Sequence, residues 1–346
     1  MLGTAGQGFF MIVVGGLLQG MIFAPMPYLK KWPWENIWLA YASFAYLLLP
    51  WIFALWTIPS LFEVYASVPR GALLLTIAFS VFWGLAVVMA GLGVYMLGMA
   101  LAFGIMFGLQ TSFGALIPLI AQHRDQVFSR TGLGTIGGVI MLTIAVVLFT
   151  LAGRRRERIL QERSGQTEID TGLVRKGKFI PGLIVCILCG VLGPLFNIAF
   201  AYAIEIQKQA IRYGASPASA PNAVWLVVAN VGYLPSLVYV LYLLRKNKTW
   251  RMFGEGSIKY WLAPPAMGAM WIVGTVLYGA GAINLGPLGP VIGWPVYMSG
   301  MVLMGTFWGF FTGEWRGIRG RPLGFQIAAV VILIGAMFLL GLTSQA

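Results

Sequence analysis

Polar and ionisable side chains are scarce in this chain, and those that could do chemistry lie within or at the ends of strongly apolar stretches. Gln19, Gln110, Asn197, Asn230 and Tyr297 are embedded among Leu, Ile, Val, Phe, Gly and Ala. Thr111, Ser112, Tyr233, Ser236, Tyr278, Asn284 and Ser299 have similar surroundings. Withdrawn from water, such groups either tie helices together or hydrogen-bond a polar ligand in a dry cavity. Trp83 and Trp271 could lay a flat face against the apolar face of such a ligand, or serve as packing. Chemistry that moves charge needs a group that gains and loses a proton. Of the ten acids, Glu35 and Glu314 stand at the ends of apolar stretches, and Glu205 continues directly from one. Glu205 has Lys208 and Gln209 at i+3 and i+4, so a local ion pair competes with a proton-carrying role. Glu314 has Arg316 and Arg319 nearby, and Glu35 suits a helix start, where the dipole favours a carboxylate.

The other ionisable groups read as solvated. Glu157, Glu162, Glu168 and Asp170 belong to one long polar stretch, Asp125 adjoins Arg124, Glu255 lies in a basic loop, and His123 neighbours Arg124 and Asp125. Cys186 and Cys189 form a C-x-x-C inside an apolar run and read as two small helix residues rather than a redox or metal pair. No Walker loop and no cluster of His, Asp or Glu is present, so no metal, cofactor or ATP is implied.

The elements that must position these residues are membrane helices. With 59% hydrophobic residues, 10% charged residues and a mean hydropathy of +0.84, a water-soluble core is excluded. About twenty apolar residues cross a bilayer as a helix, because backbone groups in lipid must be satisfied internally. Spans are predicted near 9–25, 37–58, 71–93, 98–121 and 133–152, then near 179–204, 222–244, 260–282, 286–311 and 323–342. The start of the chain has no basic n-region, so its first apolar run is expected to be retained as a span. Alternate loops carry 18 and 5 of the 23 Lys and Arg residues. The positive-inside rule assigns the richer set to the cytoplasm and both termini to the outside. The net charge of +13 thus points to lipid headgroups and not to nucleic acid. Trp32, Trp34 and Trp38, flanking Lys30 and Lys31, read as an interfacial aromatic belt.

The polar stretch over 153–178 divides the chain into five spans over 1–152 and five over 179–346. An odd number per half makes the halves enter the membrane from opposite sides. Trp83 and Leu97-Gly98 recur, at one shared offset, as Trp271 and Leu285-Gly286. Leu133-Gly134 recurs at nearly that offset as Leu323-Gly324, and Gly16 and Leu18 at a somewhat shorter one as Gly190 and Leu192. The fold class is therefore an all-α polytopic membrane protein of two inverted five-helix repeats, an arrangement that places a site between the halves near the midplane. Pro287, Pro290 and Pro295 are expected to break or kink the ninth helix.

Several motifs resemble the L-rhamnose–proton symporter family. They include Phe23-Ala24-Pro25 followed by Lys30-Lys31-Trp32-Pro33-Trp34-Glu35, then Leu49-Pro50-Trp51, Trp83-Gly84 and Leu97-Gly98-Met99. The second half adds Cys189-Gly190, Gly214 with Pro217, Met270-Trp271, Trp294 with Met298-Ser299, Glu314-Trp315 and Arg321-Pro322. The resemblance covers nearly the whole chain and implies a ten-helix fold of the drug/metabolite transporter superfamily. It implies proton-driven uptake of a small sugar across a bacterial inner membrane, with sugar, protons and lipids as partners. On that reading Gln19, Trp83, Gln110, Asn197, Asn230, Trp271 and Tyr297 are the substrate-binding candidates, and Glu205, Glu35 and Glu314 the proton-coupling ones. The pattern departs at Val87, Met89, Gly274 and Pro290, where polar residues are expected. The apolar Val87 and Met89 favour the rival reading, an exporter or facilitator of another small metabolite. A membrane-embedded lipid enzyme is the third and weakest reading.

Overall fold

The computed structural model describes residues 2–164 and 179–344. Glu168, Asp170 and most of the polar linker lie outside them. The described residues are helical and contain no strand. Among them, ten helices are long and apolar enough to cross a membrane: α1 Thr4–Tyr28, α2 Trp34–Thr57, α3 Arg70–Leu97, α4 Met99–Gln122 and α5 Arg130–Leu160. They continue with α6 Phe179–Arg212, α7 Pro221–Asn247, α8 Ile258–Asn284, α9 Gly289–Phe311 and α10 Arg321–Thr343. All ten coincide with a predicted span.

Packing joins the two halves throughout. α1 lies against α8 and α9, and α6 lies against α3 and α4. α3 lies against α7, and α2 against α8, while α2 meets α7, α4 meets α9 and α5 meets α10. Exchanging every helix for the one five places along turns each of these pairs into another of them or into itself. Glycine permits the closest approaches: a Cβ on Gly15 would meet the Gly274 carbonyl oxygen at 2.6 Å, and one on Gly84 the Gly232 oxygen at 2.2 Å. Without side chains at these crossings, backbones come together and dispersion replaces the absent hydrophobic drive.

The helix interruptions differ from expectation. α9 runs unbroken over Gly289–Phe311, because Pro287 precedes it and Pro290 occupies its first turn, where a missing N–H costs nothing. Only Pro295 lies inside. The irregularities are elsewhere. α2 is wound as a π-helix over Ser43–Leu48 just before Pro50. α6 is interrupted between Leu192 and Leu195.

Two prolines leave a carbonyl for an asparagine to fill. Pro50 has no N–H to return to the Tyr46 carbonyl four residues earlier, and Asn230 Nδ2 donates to that oxygen at 2.9 Å. Pro118 likewise cannot return a bond to the Gly114 carbonyl, which Asn197 Nδ2 reaches at 2.9 Å. Buried in an apolar bundle, either carbonyl left bare would cost ~1–3 kcal/mol.

The aromatic belt reading fails for Trp32. It is 3% exposed and packs edge-on against Phe253 and Trp261, with centroids 5.2 and 5.0 Å away. Trp34 stacks on Trp38 at 5.2 Å and keeps an exposed face.

Candidate substrate site between the halves

Trp83 and Trp271 occupy the middles of α3 and α8, and the fold brings them face to face. Their ring centroids are 6.4 Å apart with planes inclined by 25°. That is a normal offset stack, so the two indoles touch each other and leave no room for a ring between them. Tyr46, at the middle of α2, stands edge-on to both, 5.7 Å from Trp83 and 4.8 Å from Trp271. Phe196 of α6 closes the group, 5.0 Å from Trp83 and 6.2 Å from Trp271. Four helices from two halves therefore supply one aromatic box at mid-depth.

Polar groups edge this box. Gln19 Nε2 of α1 points to the Trp271 carbonyl and to Thr275 Oγ1, each at 3.3 Å. The Tyr46 hydroxyl lies 3.3 Å from the Tyr41 hydroxyl. Tyr297, 4% exposed, packs against Tyr278 at 4.8 Å and Trp294 at 6.1 Å. Its hydroxyl faces Gln19 and Thr275 without forming a hydrogen bond of proper geometry. A buried phenol without a partner costs ~1–3 kcal/mol, a cost that a ligand hydroxyl would remove. Together these groups can hold a small, neutral, hydroxyl-bearing ring by stacking and hydrogen bonding. They carry no charge.

The remaining binding candidates are placed differently. Asn197 is saturated: Nδ2 donates to the Gly114 and Pro290 carbonyls at 2.9 and 3.0 Å, and Oδ1 accepts from the Tyr278 hydroxyl. Asn230 Oδ1 accepts from Trp51 Nε1 at 2.9 Å while its Nδ2 serves Tyr46. Gln110 Nε2 approaches Cys189 Sγ at 3.7 Å, and its backbone oxygen accepts from Trp294 Nε1 at 2.9 Å. These three join helices around the box. Sequence reasoning missed Tyr46, Tyr41, Thr275 and Phe196. Tyr46 lies one turn before the Leu49-Pro50-Trp51 motif, which was the available signal.

The three acids have separate partners. Glu205 lies at the end opposite the basic loops, its side chain 42% exposed and paired with Lys208 at 2.8 Å. Glu314 is half exposed at the basic end and pairs with Arg156 at 3.2 Å. Glu35, also at the basic end, is 6% exposed. Its Oε1 accepts from Asn247 Nδ2 at 2.9 Å and from Thr249 Oγ1 at 3.0 Å.

Hydrogen bonds tie α2 to α7 at both ends of their seam, on either side of the box. At the basic end these are the Glu35 contacts, with Asn36 Nδ2 donating to the Thr249 carbonyl at 3.0 Å. At the far end Asn222 Nδ2 donates to Thr57 Oγ1 at 2.9 Å. There Tyr65, on the short helix Leu61–Ser67, donates to the Ala223 carbonyl at 2.6 Å. Burial pushes the Tyr65 hydroxyl well above the ordinary phenol range, so it stays a neutral donor. A shallow open cleft of about 470 Å³ near Phe310, Trp315 and Arg316 contains none of the binding candidates.

Ten membrane-length helices packed around a buried aromatic box define a multi-pass membrane protein, and the family match that follows makes it a transporter and not an enzyme. Residues 2–346 match the model of the L-rhamnose-proton symport protein family, and the chain belongs to that family. It is 27% identical over 339 residues to the L-rhamnose-proton symporter of Citrobacter koseri, covering 95% of this chain and 96% of that one. It is 26% identical over 345 residues to the symporter of the same name in Pectobacterium atrosepticum, covering 97% of each. Against that of Escherichia coli O1:K1 / APEC the identity is 25% over 343 residues, covering 95% and 96%.

Proposed function

We propose that this chain takes up L-rhamnose, or a similar small deoxysugar, together with a proton across a bacterial inner membrane. The observation that carries the substrate assignment is the box of Trp83, Trp271, Tyr46 and Phe196, edged by Gln19 and the unpartnered Tyr297 hydroxyl. A deoxysugar has an apolar face for an indole and several hydroxyls for the edge. Because the indoles touch, the sugar enters only if α3 and α8 part, so binding and helix movement are coupled. Residues 1–152 and 179–346 are the two repeats. Because α1 packs on α8 and α9 and α6 on α3 and α4, each moving unit mixes helices of both. The stretch over 153–178 that joins the repeats begins inside α5.

Inverted repeats are supported by matched geometry. Gly98 and Gly286 share φ values of 78° and 80°; Ser60 and Lys248, separated by the same stretch of chain, have φ of 50° and 57°. Shifting Gly15 by the offset of Gly16 to Gly190, and Gly274 back by that of Trp83 to Trp271, turns the Gly15–Gly274 approach into the Cys189–Ala86 pair. There Cys189 Sγ donates to the Ala86 carbonyl at 3.3 Å. By the same shifts the Gly16–Tyr297 approach corresponds to Gly190–Leu109. Rocking one unit against the other would open the far and basic ends of the seam in turn. The positive-inside rule makes the basic end cytoplasmic and leaves both termini outside.

The test is uptake of labelled L-rhamnose into proteoliposomes with and without an inward proton gradient. Gradient-driven accumulation supports the proposal, and flux that only equilibrates supports a facilitator. No flux discards the rhamnose assignment. The apolar Val87 and Met89, close in sequence to Trp83, favour a less hydroxylated substrate in that event.

A further inference from the structure

Among the described residues, Glu35 is the one buried charged side chain, and no cation lies within ion-pair distance of it. The charged or titratable groups on the elements around it are Lys30 and Lys31 before α2 and Arg245, Lys246 and Lys248 at the end of α7. Beyond these come Arg251 and Glu255 in the following segment and Lys259 and Tyr260 at the start of α8. The seven cations and Glu255 are exposed, and Tyr260 is partly exposed. The carboxylate instead relies on its place in the first turn of α2 and on two neutral donors, Asn247 and Thr249. Lys248, between those donors, adopts the left-handed conformation at φ 57°, which turns the chain so that both flanking side chains reach one oxygen. Its charge is therefore balanced by a helix N-terminus and neutral donors alone, so a change of charge there would act directly on the contacts that join α2 to α7.

We propose that Glu35 carries the symported proton and, in doing so, works the cytoplasmic gate; this rests on the symport reading above. Ionised, Glu35 accepts two charge-assisted hydrogen bonds and latches α2 to α7. A proton entering from the outside, while the far end of the seam is open, converts the carboxylate to the acid. Hydrogen bonds to a neutral acceptor are about half as strong, so the latch loosens, and with sugar in the box the basic end opens. Water on that side then takes the proton from the acid, and the re-formed carboxylate closes the latch. The seam offers the inbound proton a polar lining, since Ser43 meets the Tyr233 hydroxyl at 2.9 Å and Ser236 accepts from Trp38 Nε1 at 3.2 Å. The contacts at the far end are made by Thr57, Asn222 and Tyr65, none of them a carboxylate. Glu63, the acid on the short helix there, is exposed. Protonation therefore biases one gate alone.

The test has two parts. Hydrogen exchange of the segment Thr249–Glu255 in the purified full chain, corrected for its intrinsic pH dependence, reads the latch without any substrate. Lowering the pH should raise exchange several-fold in the wild type and leave Glu35→Gln unresponsive. In proteoliposomes Glu35→Gln should retain substrate counterflow within about twofold while losing gradient-driven accumulation at least tenfold. Removing both donors, Asn247→Leu with Thr249→Val, should shift the pH profile of uptake to the alkaline side, because only the ionised form loses its bonds. Accumulation by Glu35→Gln, loss of its counterflow as well, a pH-independent latch in the wild type, or an unmoved profile in the donor variant would each overturn the proposal. Failure of the wild type to transport rhamnose would strike the substrate assignment and leave the exchange result to decide the latch.

Discussion

Asn197 and Asn230 illustrate how one side chain type serves two needs in lipid. Both were candidates for ligand binding on residue type, yet each has its amide spent on a carbonyl that a proline has left bare. The pairing is testable by a cycle. Asn230→Leu is expected to lower stability by ~1–3 kcal/mol, measured as thermal inactivation in detergent. Combining it with Pro50→Ala should recover much of that loss, because the alanine returns an N–H to the helix. For the box itself, Trp271→Ala should raise the KM for the transported sugar about tenfold or more, with Trp271→Phe intermediate. Equal effects of the two on kcat alone would show that Trp271 serves packing. Trp83 and Trp271 were legible in the sequence because a fixed offset relates them. Tyr46 was not, since a tyrosine near a tryptophan-rich loop is indistinguishable from an interfacial one until α2 is seen to run through the centre.

The helices were more legible than their irregularities. Hydropathy locates all ten spans because the bilayer demands length and apolarity regardless of packing. Three closely spaced prolines suggested a broken ninth helix, but proline disrupts only where an N–H was needed, and two of the three lie before or in the first turn. The π-turn of α2 has its Tyr46 carbonyl served by a distant asparagine, which spacing does not reveal, whereas the interruption of α6 falls at Gly193-Pro194, a break signal present in the sequence. Close crossings make the elements intolerant of bulk. Gly84→Leu would drive its side chain into the Gly232 backbone, whose oxygen is 2.2 Å from the nearest Cβ position. Loss of monodisperse protein on size exclusion is expected there, whereas Gly91→Leu, with open space around it, should behave as the wild type.

For the molecule as a whole, orientation and symmetry are joined. The 18-to-5 division of basic residues predicts that a reporter fused after Ala346 is active only on the outer side of the membrane. A cytoplasmic signal would also reverse the assignment of Glu35 to the inner gate. Weak recurrences in the sequence favour a repeat, and the same offsets return in pairs of backbone conformations and crossings that fit one. Charge is not symmetric: the basic loops gather at one end, and the hydrogen bonds across the far end of the α2–α7 seam include no carboxylate. The stacked Trp83 and Trp271 have one more consequence. Two indoles 6.4 Å apart and inclined by 25° share their electronic excitations, so their ultraviolet circular dichroism should contain a paired positive and negative band. A ligand that wedges them apart would erase that couplet, which means the protein carries a built-in optical gauge of its own occupancy.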